Sequence, residues 1–314
     1  MCNRPSKRKN IKTSEVCYLI MDGIILINKA RGCTSHDVVN KVKYIFNEKV
    51  GHTGTLDPNA TGLLPILIGK GTKLSAYLIN HDKEYEAVLK LGIKTDTADL
   101  EGKIIERQEI NKNILTRENI TKVLNSFIGE QEQIPPMYSA IKVQGKKLYE
   151  YARKNMQIEI EPRKIEIYAI ALNNIDEKEN LISFTVQCSK GTYIRSLCED
   201  IAIRLGTIGY MEELNRTKVG IFDLKESITI EELEENKENE KYIESHIISI
   251  EDVFKKIYGN DSNIKLNDKR LELFLNGVKL TSDAKDGLYR IYCENKFIGI
   301  GSVKNNLLKR EIVV

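Results

Sequence analysis

Metal-site and cross-linking chemistry are thinly supplied in this sequence. Its six cysteines (Cys2, Cys17, Cys33, Cys188, Cys198, Cys293) are scattered and make no C-x-x-C pair, and its four histidines (His36, His52, His81, His246) show no ligand spacing. That excludes a zinc- or disulfide-organised scaffold; no metal is expected, and reduced thiols fit the cytoplasm. No apolar run approaches the roughly 20 residues of a membrane span, so no membrane association is expected. Residues 1–15 are basic without the apolar core of a secretory leader, and are expected to form a flexible basic tail. The G-K-G-T at 69–72 lacks the G-x-x-x-x-G-K-[ST] frame of a nucleotide-phosphate loop.

With 314 residues the chain can bury one substantial core and a second, smaller one. Net charge is only +3, but it is unevenly spread: residues 1–73 hold 12 Lys/Arg against 5 Asp/Glu, and 226–252 hold 10 acids against 2 bases. An anionic ligand is directed to the first region, and the acidic block reads as solvated helix surface.

The densest local specification lies at 51–73, GHTGTLDPNATGLLPILIGKGTK, with five glycines and two prolines around one histidine and one aspartate. Asp57 precedes Pro58 and is held extended on a stiff loop. An isolated Asp-Pro pair is commonly just a turn closed by the Asp side chain. Upstream, DGIILIN (22–28) has strand length, and Thr34-Ser35-His36-Asp37 opens a helix with Ser35 as N-cap and Val38, Val39, Val42, Ile45 and Phe46 on one face. Downstream, EYEAVLKLG (84–92) alternates with period 2 and puts Tyr85, Ala87, Leu89 and Leu91 on one face; from position alone Tyr85 is a core aromatic.

Residues 133–154, QIPPMYSAIKVQGKKLYEYARK, interleave Lys142, Lys146, Lys147, Arg153 and Lys154 with Tyr138, Tyr149 and Tyr151 behind a diproline. Charge for phosphates and flat faces for unstacked bases together suit RNA. A strand over 181–188 then turns into TYIRSLCEDIAIRLG, where Ile194, Leu197, Ile201 and Leu205 mark a buried helical stripe. Arg195 at that helix start opposes the dipole, so an acidic partner is expected, either Asp57 or the local Glu199. Gly259 to Ser262 reads as a linker, followed by a small basic β-rich module. One aspartate in a glycine-rich loop with a nearby cation fits chemistry at a sugar carbon or a pyrimidine ring.

Five stretches in order, DGIILINKARGCTSHDVV, GHTGTLDPNATGLLPILIGKGTK, KEYEAVLKLGIKTDTADLEG, QIPPMYSAIKVQGKKLYEYAR and CSKGTYIRSLCEDI, closely resemble the bacterial tRNA pseudouridine-55 synthase (TruB) family. The resemblance runs over residues 22–224 and more weakly to the C-terminus. It implies cofactor-free isomerisation of uridine 55 in the T-loop of tRNA, with the base flipped from its stack. It implies an α+β fold with a mixed, mostly antiparallel central sheet split into two halves and flanked by helices. The implied domains are a catalytic domain over 16–260, with an RNA-binding insertion at about 133–154, and a PUA-like β domain over 261–314.

On the family pattern Asp57 is the catalytic carboxylate, acting as nucleophile on C1′ or C6 or as base on the C2′ proton. Tyr85 stacks on the flipped uracil, reversing its core reading. Tyr193 closes over the base and accepts the C5 proton, and Arg195 pairs with Asp57 and keeps it ionised. His52 fills the place the base vacates, Lys29 and Asp96 support the pocket or the RNA, Leu214 walls the uracil site, and Lys146 and Lys147 contact RNA. The T-arm of tRNA is the expected partner, with no obligate protein partner and a monomeric chain. Ala30, Tyr210 and Asn215 depart from the family's usual proline, histidine and arginine. A non-catalytic T-arm-folding module and a guide-RNA-dependent synthase are the rival readings; the second needs a fuller C-terminal domain and partner surfaces.

Overall fold

Runs that are apolar at every position belong to strands covered on both faces, and runs that alternate belong to strands covered on one. Both kinds occur here, and they divide the main sheet into two parts. The computed structural model describes residues 21–314 apart from 80, 140, 155 and 157. The expected basic tail, 1–15, lies outside the described residues.

β1 (Gly23–Lys29) leads into α1 (Ser35–Phe46), and β2 (Val50–His52) and β3 (Thr61–Ile68) flank the segment that carries Asp57. The N-cap of α1 is Thr34, not Ser35: the Thr34 hydroxyl accepts from the Asp37 N–H while the Asp37 carboxylate accepts from the Thr34 N–H, a reciprocal box that leaves Ser35 free for other work. α2 (Ser75–Leu78) precedes β4 (Lys83–Leu91), and β5 (Ile93–Thr95) pairs with β6 (Ile104–Arg107). α3 (Arg117–Asn125), capped by Thr116, leads to β7 (Gly129–Gln133). The basic, aromatic insertion folds as β8 (Lys142–Val143), β9 (Lys146–Lys147) and α4 (Leu148–Ala152). β10 (Arg163–Asp176) and β11 (Leu181–Cys188) form a hairpin, α5 (Ile194–Arg204) follows, and β12 (Gly209–Val219) returns to the centre with β13 (Phe222–Asp223). The acidic block folds as α6 (Ile230–Glu235), α7 (Glu240–His246), β14 (Ile247–Ser249) and α8 (Ile250–Tyr258), burying Leu233, Ile243, Val253 and Phe254 and leaving most of its acids outward. The C-terminal unit comprises β15 (Asn263–Leu266), α9 (Asp268–Leu275), β16 (Leu280–Thr281), β17 (Gly287–Cys293), β18 (Lys296–Lys304) and β19 (Leu307–Val313).

The main sheet runs β14-β1-β3-β12-β4-β11-β10-β7, with β2 on β3 and β13 on β12. Every pairing is antiparallel except β3 with β12, which meet in parallel over two positions, Thr61 with Asn215 and Gly62 with Arg216. This short seam splits the sheet into two halves. Gly62 is obligatory there: its φ is +103°, and a Cβ would stand 2.3 Å from the Arg216 carbonyl oxygen.

On the β1/β3 side both faces are covered. Ile25, Ile27, Leu64 and Ile66 face the core shared with α1 and α5, while Ile24, Leu26, Leu63 and Leu67 face a second core with Phe254, Ile300 and Ile312. β4 is covered on one face, so Tyr85, Ala87, Leu89 and Leu91 are buried and Glu86 is exposed. The α+β class and the split, mostly antiparallel sheet agree with the expectation, and a separate five-stranded sheet, β15-β17-β18-β19-β16, forms the C-terminal β unit.

Candidate active site

Asp57 lies on the loop from β2 to β3. Pro58 sets the bend of a turn that the Ala60 N–H closes on the Asp57 carbonyl at 3.1 Å. The turn uses the backbone of Asp57, which leaves its carboxylate for other partners. Side chains from three elements pin the loop's backbone. The Ser35 hydroxyl accepts from the Leu56 N–H at 2.8 Å and donates to the Leu56 carbonyl at 3.1 Å, both buried. Lys29 is fully buried, and its ammonium donates to the carbonyls of Ala30 (2.9 Å), Cys33 (2.8 Å) and Pro58 (3.0 Å). Arg216, buried too, donates from Nε to Leu63 O at 2.8 Å and from Nη2 to Gly54 O at 3.1 Å. Burial lowers the pKa of both cations, and their carbonyl partners are what make it tolerable. His52, at the end of β2, accepts the Gly54 N–H on Nδ1 at 3.2 Å; burial and then Arg216 lower its pKa, so the ring is neutral at pH 7.

Arg195 reaches Asp57 from the first turn of α5. Its Nε lies 3.1 Å from Asp57 Oδ2 and its Nη2 3.4 Å from Oδ1, a two-pronged grip that the planar guanidinium permits and an ammonium does not. Nη1 lies 3.3 Å from Asp99 Oδ2, and the rest of the fork donates to the carbonyls of Thr97 and Tyr138. The expected acidic partner is therefore Asp57 together with Asp99; Glu199 faces Lys94 at 3.9 Å instead. Burial pushes the Asp57 pKa up, Arg195 opposes this, Asp99 adds to it and Lys29 opposes it, for a net upward direction. Because the side chain stays 39% exposed toward the cleft, solvent limits that rise.

Tyr193 caps the start of α5, with its backbone N–H and C=O both bonded by the buried Gln133 side chain at 2.8 and 3.1 Å. Burial raises its phenol pKa and holds it un-ionised. Tyr85 lies cross-strand from Arg216, and its pKa too is raised by burial, with Arg216 opposing. Around Asp57 two cavities meet. One, of about 110 Å³, is lined by Asp57, Tyr85, Tyr193, Arg195, Met211 and Leu214. The other, about 490 Å³, shares Asp57, Tyr85, Tyr193 and Arg195 and extends to Thr53, Lys83 and Tyr149. A carboxylate in the lining of a cavity walled by two tyrosines can work on a sugar carbon while the wall holds a ring.

Residues 42–194 match the TruB family pseudouridylate synthase N-terminal domain, 195–255 the tRNA pseudouridylate synthase B C-terminal domain, and 262–314 the C-terminal domain of pseudouridine synthase II TruB. The chain is 46% identical over 293 residues to the tRNA pseudouridine synthase B of Clostridium kluyveri, covering 91% of this chain and 96% of that one. It belongs to the TruB family of pseudouridylate synthases. This TruB-family chain is accordingly an enzyme, an isomerase. It is also 44% identical over 265 residues to the tRNA pseudouridine synthase B of Oceanobacillus iheyensis, covering 83% and 84% of the two chains. Among solved structures, the archaeal box H/ACA sRNP Nop10-Cbf5 complex matches at 25% identity with a TM-score of 0.62, over 93% of this chain and 85% of that one.

Of the residues singled out in the sequence, the fold brings Asp57, Tyr85, Tyr193, Arg195 and Leu214 to one cavity. Tyr85 packs in the core, as its position in the strand predicts, and also lines the cavity. Lys29 and His52 stand behind the Asp57 loop. Asp96 is exposed in the β5–β6 connection, where its carboxylate accepts the Lys103 N–H at 2.8 Å. Lys146 is exposed on the insertion hairpin, and Lys147 lies 5.3 Å from the Tyr149 ring centroid. Sequence reading passed over Asp99, Gln133 and Met211, and gave Ser35 the wrong task. Buried polar side chains such as Gln133 and Ser35 leave no periodic signal; a second aspartate three residues beyond Asp96 was the one available hint of Asp99.

Proposed function

We propose that this enzyme converts uridine 55 in the T-loop of tRNA to pseudouridine without a cofactor. The relatives' names supply the tRNA, and the carrying observation is the Asp57 carboxylate held in a two-pronged grip by Arg195 in the lining of a cavity walled by Tyr85, Tyr193 and Leu214. The isomerisation is balanced within the nucleotide: the N1–C1′ bond breaks, C5 bonds to C1′, the C5 proton leaves and N1 gains one. No oxidant, reductant or group donor is required.

In this reading the uridine is flipped into the smaller cavity, its ring against Tyr85 and bounded by Leu214, with the ribose over Asp57. Arg195 fixes the carboxylate's direction, so that attack at C1′ or C6, or removal of the C2′ proton, starts from an oriented oxygen. Tyr193 covers the freed uracil and takes the C5 proton as its own phenolic proton passes to solvent, and N1 takes its proton from solvent. His52, neutral, stands where the base leaves the stack, and the 133–154 insertion with Lys146 and Lys147 holds the RNA backbone.

The test is carbodiimide mapping of pseudouridine in an unmodified tRNA transcript treated with the wild-type protein or Asp57→Asn, with no cofactor or metal added. A single T-loop signal with the wild type and none with the variant supports the proposal. A folded wild-type protein that binds tRNA and leaves no signal overturns it. Deuterium at C2′ of the reacting uridine separates the two roles for Asp57, since only proton removal gives a primary isotope effect.

A further inference from the structure

The larger cavity beside Asp57 has no task in the chemistry above, yet it is continuous with the smaller one through Asp57, Tyr85, Tyr193 and Arg195. If the base occupies the smaller cavity and C1′ lies at Asp57, what remains of the nucleotide must lie in the larger. That remainder is the ribose and its phosphodiesters, and a phosphate brings a negative charge toward Asp57 and Asp99. Like charges so placed need a cation between them.

Arg195 is spent on two carboxylates and two carbonyls, and Arg216 donates to the Leu63 and Gly54 carbonyls. Lys190 lines the cavity as well, near Lys83, but Lys83 is placed differently from both arginines. It lies two residues before Tyr85 on β4 and so points to the same face of the strand, the face that carries the cleft. It lines the larger cavity, and of its three donors one goes to the His81 carbonyl. Among the described residues no carboxylate forms a salt bridge with it, and burial, then Arg216, lowers its pKa. A half-buried ammonium in that condition can take an anion. Thr53 gives an independent sign: it lines the same cavity, is 1% exposed, and its hydroxyl has no hydrogen-bond partner among the described residues.

We infer that the larger cavity is a phosphodiester subsite, in which Lys83 and the Thr53 hydroxyl hold a phosphate flanking the reacting uridine. The inference rests on the function proposed above and adds the residues that set the ribose over Asp57.

The experiment uses a T-arm stem-loop RNA in which each phosphate around the reacting uridine is replaced, one at a time, by an uncharged methylphosphonate. With wild-type protein, one flanking position is expected to lower the single-turnover rate at subsaturating enzyme by about 10-fold, the scale of one lost charged hydrogen bond. Lys83→Met is expected to lose as much with the native RNA and nothing further at that one position, while Lys83→Arg restores most of the rate. Thr53→Val is expected to show a smaller loss confined to the same position. Penalties that multiply at every position overturn the inference. So does a wild-type rate indifferent to both flanking methylphosphonates, a result that stands whether or not Lys83→Met folds. Both outcomes leave pseudouridine formation by the wild type intact. Absence of pseudouridine with the native stem-loop and with whole tRNA overturns the function and the subsite together.

Discussion

Arg195 holds Asp57 by two of its nitrogens, Nε at 3.1 Å and Nη2 at 3.4 Å, while Nη1 turns to Asp99 at 3.3 Å. The guanidinium thus bridges two carboxylates and fixes the direction of the one that faces the cavity. A lysine at this place keeps the charge and loses the fork. Arg195→Lys is expected to slow single-turnover pseudouridine formation by about 100-fold, the scale of a misplaced reacting group. Its tRNA affinity, measured by filter binding, should stay within a few-fold, because Arg195 is buried and faces inward. A parallel loss of affinity would make Arg195 a binding residue.

The pH dependence has a definite sign. Asp57 has its pKa raised, so the ionised form that the proposed reaction needs is lost, as pH falls, at a higher pH than for a free aspartate. The acid limb of the single-turnover rate should therefore lie above the ordinary value of 3.8. Asp99 contributes to the rise, so Asp99→Asn is expected to move the limb to lower pH even as it lowers the plateau. A limb that moves to higher pH would show that Asp99 acts mainly by holding Arg195 in place.

Ser35 holds both backbone groups of Leu56, next to Asp57, by two buried hydrogen bonds. Ser35→Ala leaves that N–H and C=O without their partner and should destabilise the protein by about 1–3 kcal/mol. Thermal or urea unfolding measures this. Because the loop that loses its anchor carries Asp57, the rate should fall more than the affinity.

Ile300 and Ile312 of the C-terminal sheet are buried in the same cluster as Ile24, Leu26, Leu63 and Phe254, and the Tyr292 hydroxyl donates to Glu251 at 2.6 Å. Ending the chain after residue 260 would uncover that face of β1 and β3. The shortened protein is expected to bind a hydrophobic dye and to aggregate; a stable, monomeric, cooperatively unfolding fragment would show that the two units share less than their packing indicates.

Lys146 is exposed at the tip of the insertion hairpin, and Lys147 lies beside Tyr149. Replacing both by Ala should weaken tRNA binding and flatten the slope of log affinity against log salt by about 1–2, as expected for one or two lost phosphate contacts. An unchanged slope would remove this hairpin from the RNA interface.

What the sequence determined by itself was local or repeated. The period-2 pattern placed β4 and its buried Tyr85, the apolar run at 22–28 placed β1, and the apolar stripes placed α1 and α5 within a few residues, because each signal depends on neighbours a few positions away. The GHTGTLDP and GTYIR stretches pointed to Asp57, Tyr193 and Arg195 through their resemblance to the TruB family. Tertiary structure decided which carboxylates meet Arg195. Glu199 was near in sequence and Asp96 near in motif, yet the turn between β5 and β6 directs Asp96 to its own backbone and brings Asp99 to the guanidinium. The anchoring work of Ser35, Lys29, Arg216 and Gln133 was likewise settled only in three dimensions. A buried polar side chain takes its partner from whatever backbone the sheet register brings within about 3 Å, and that register is set by the whole core.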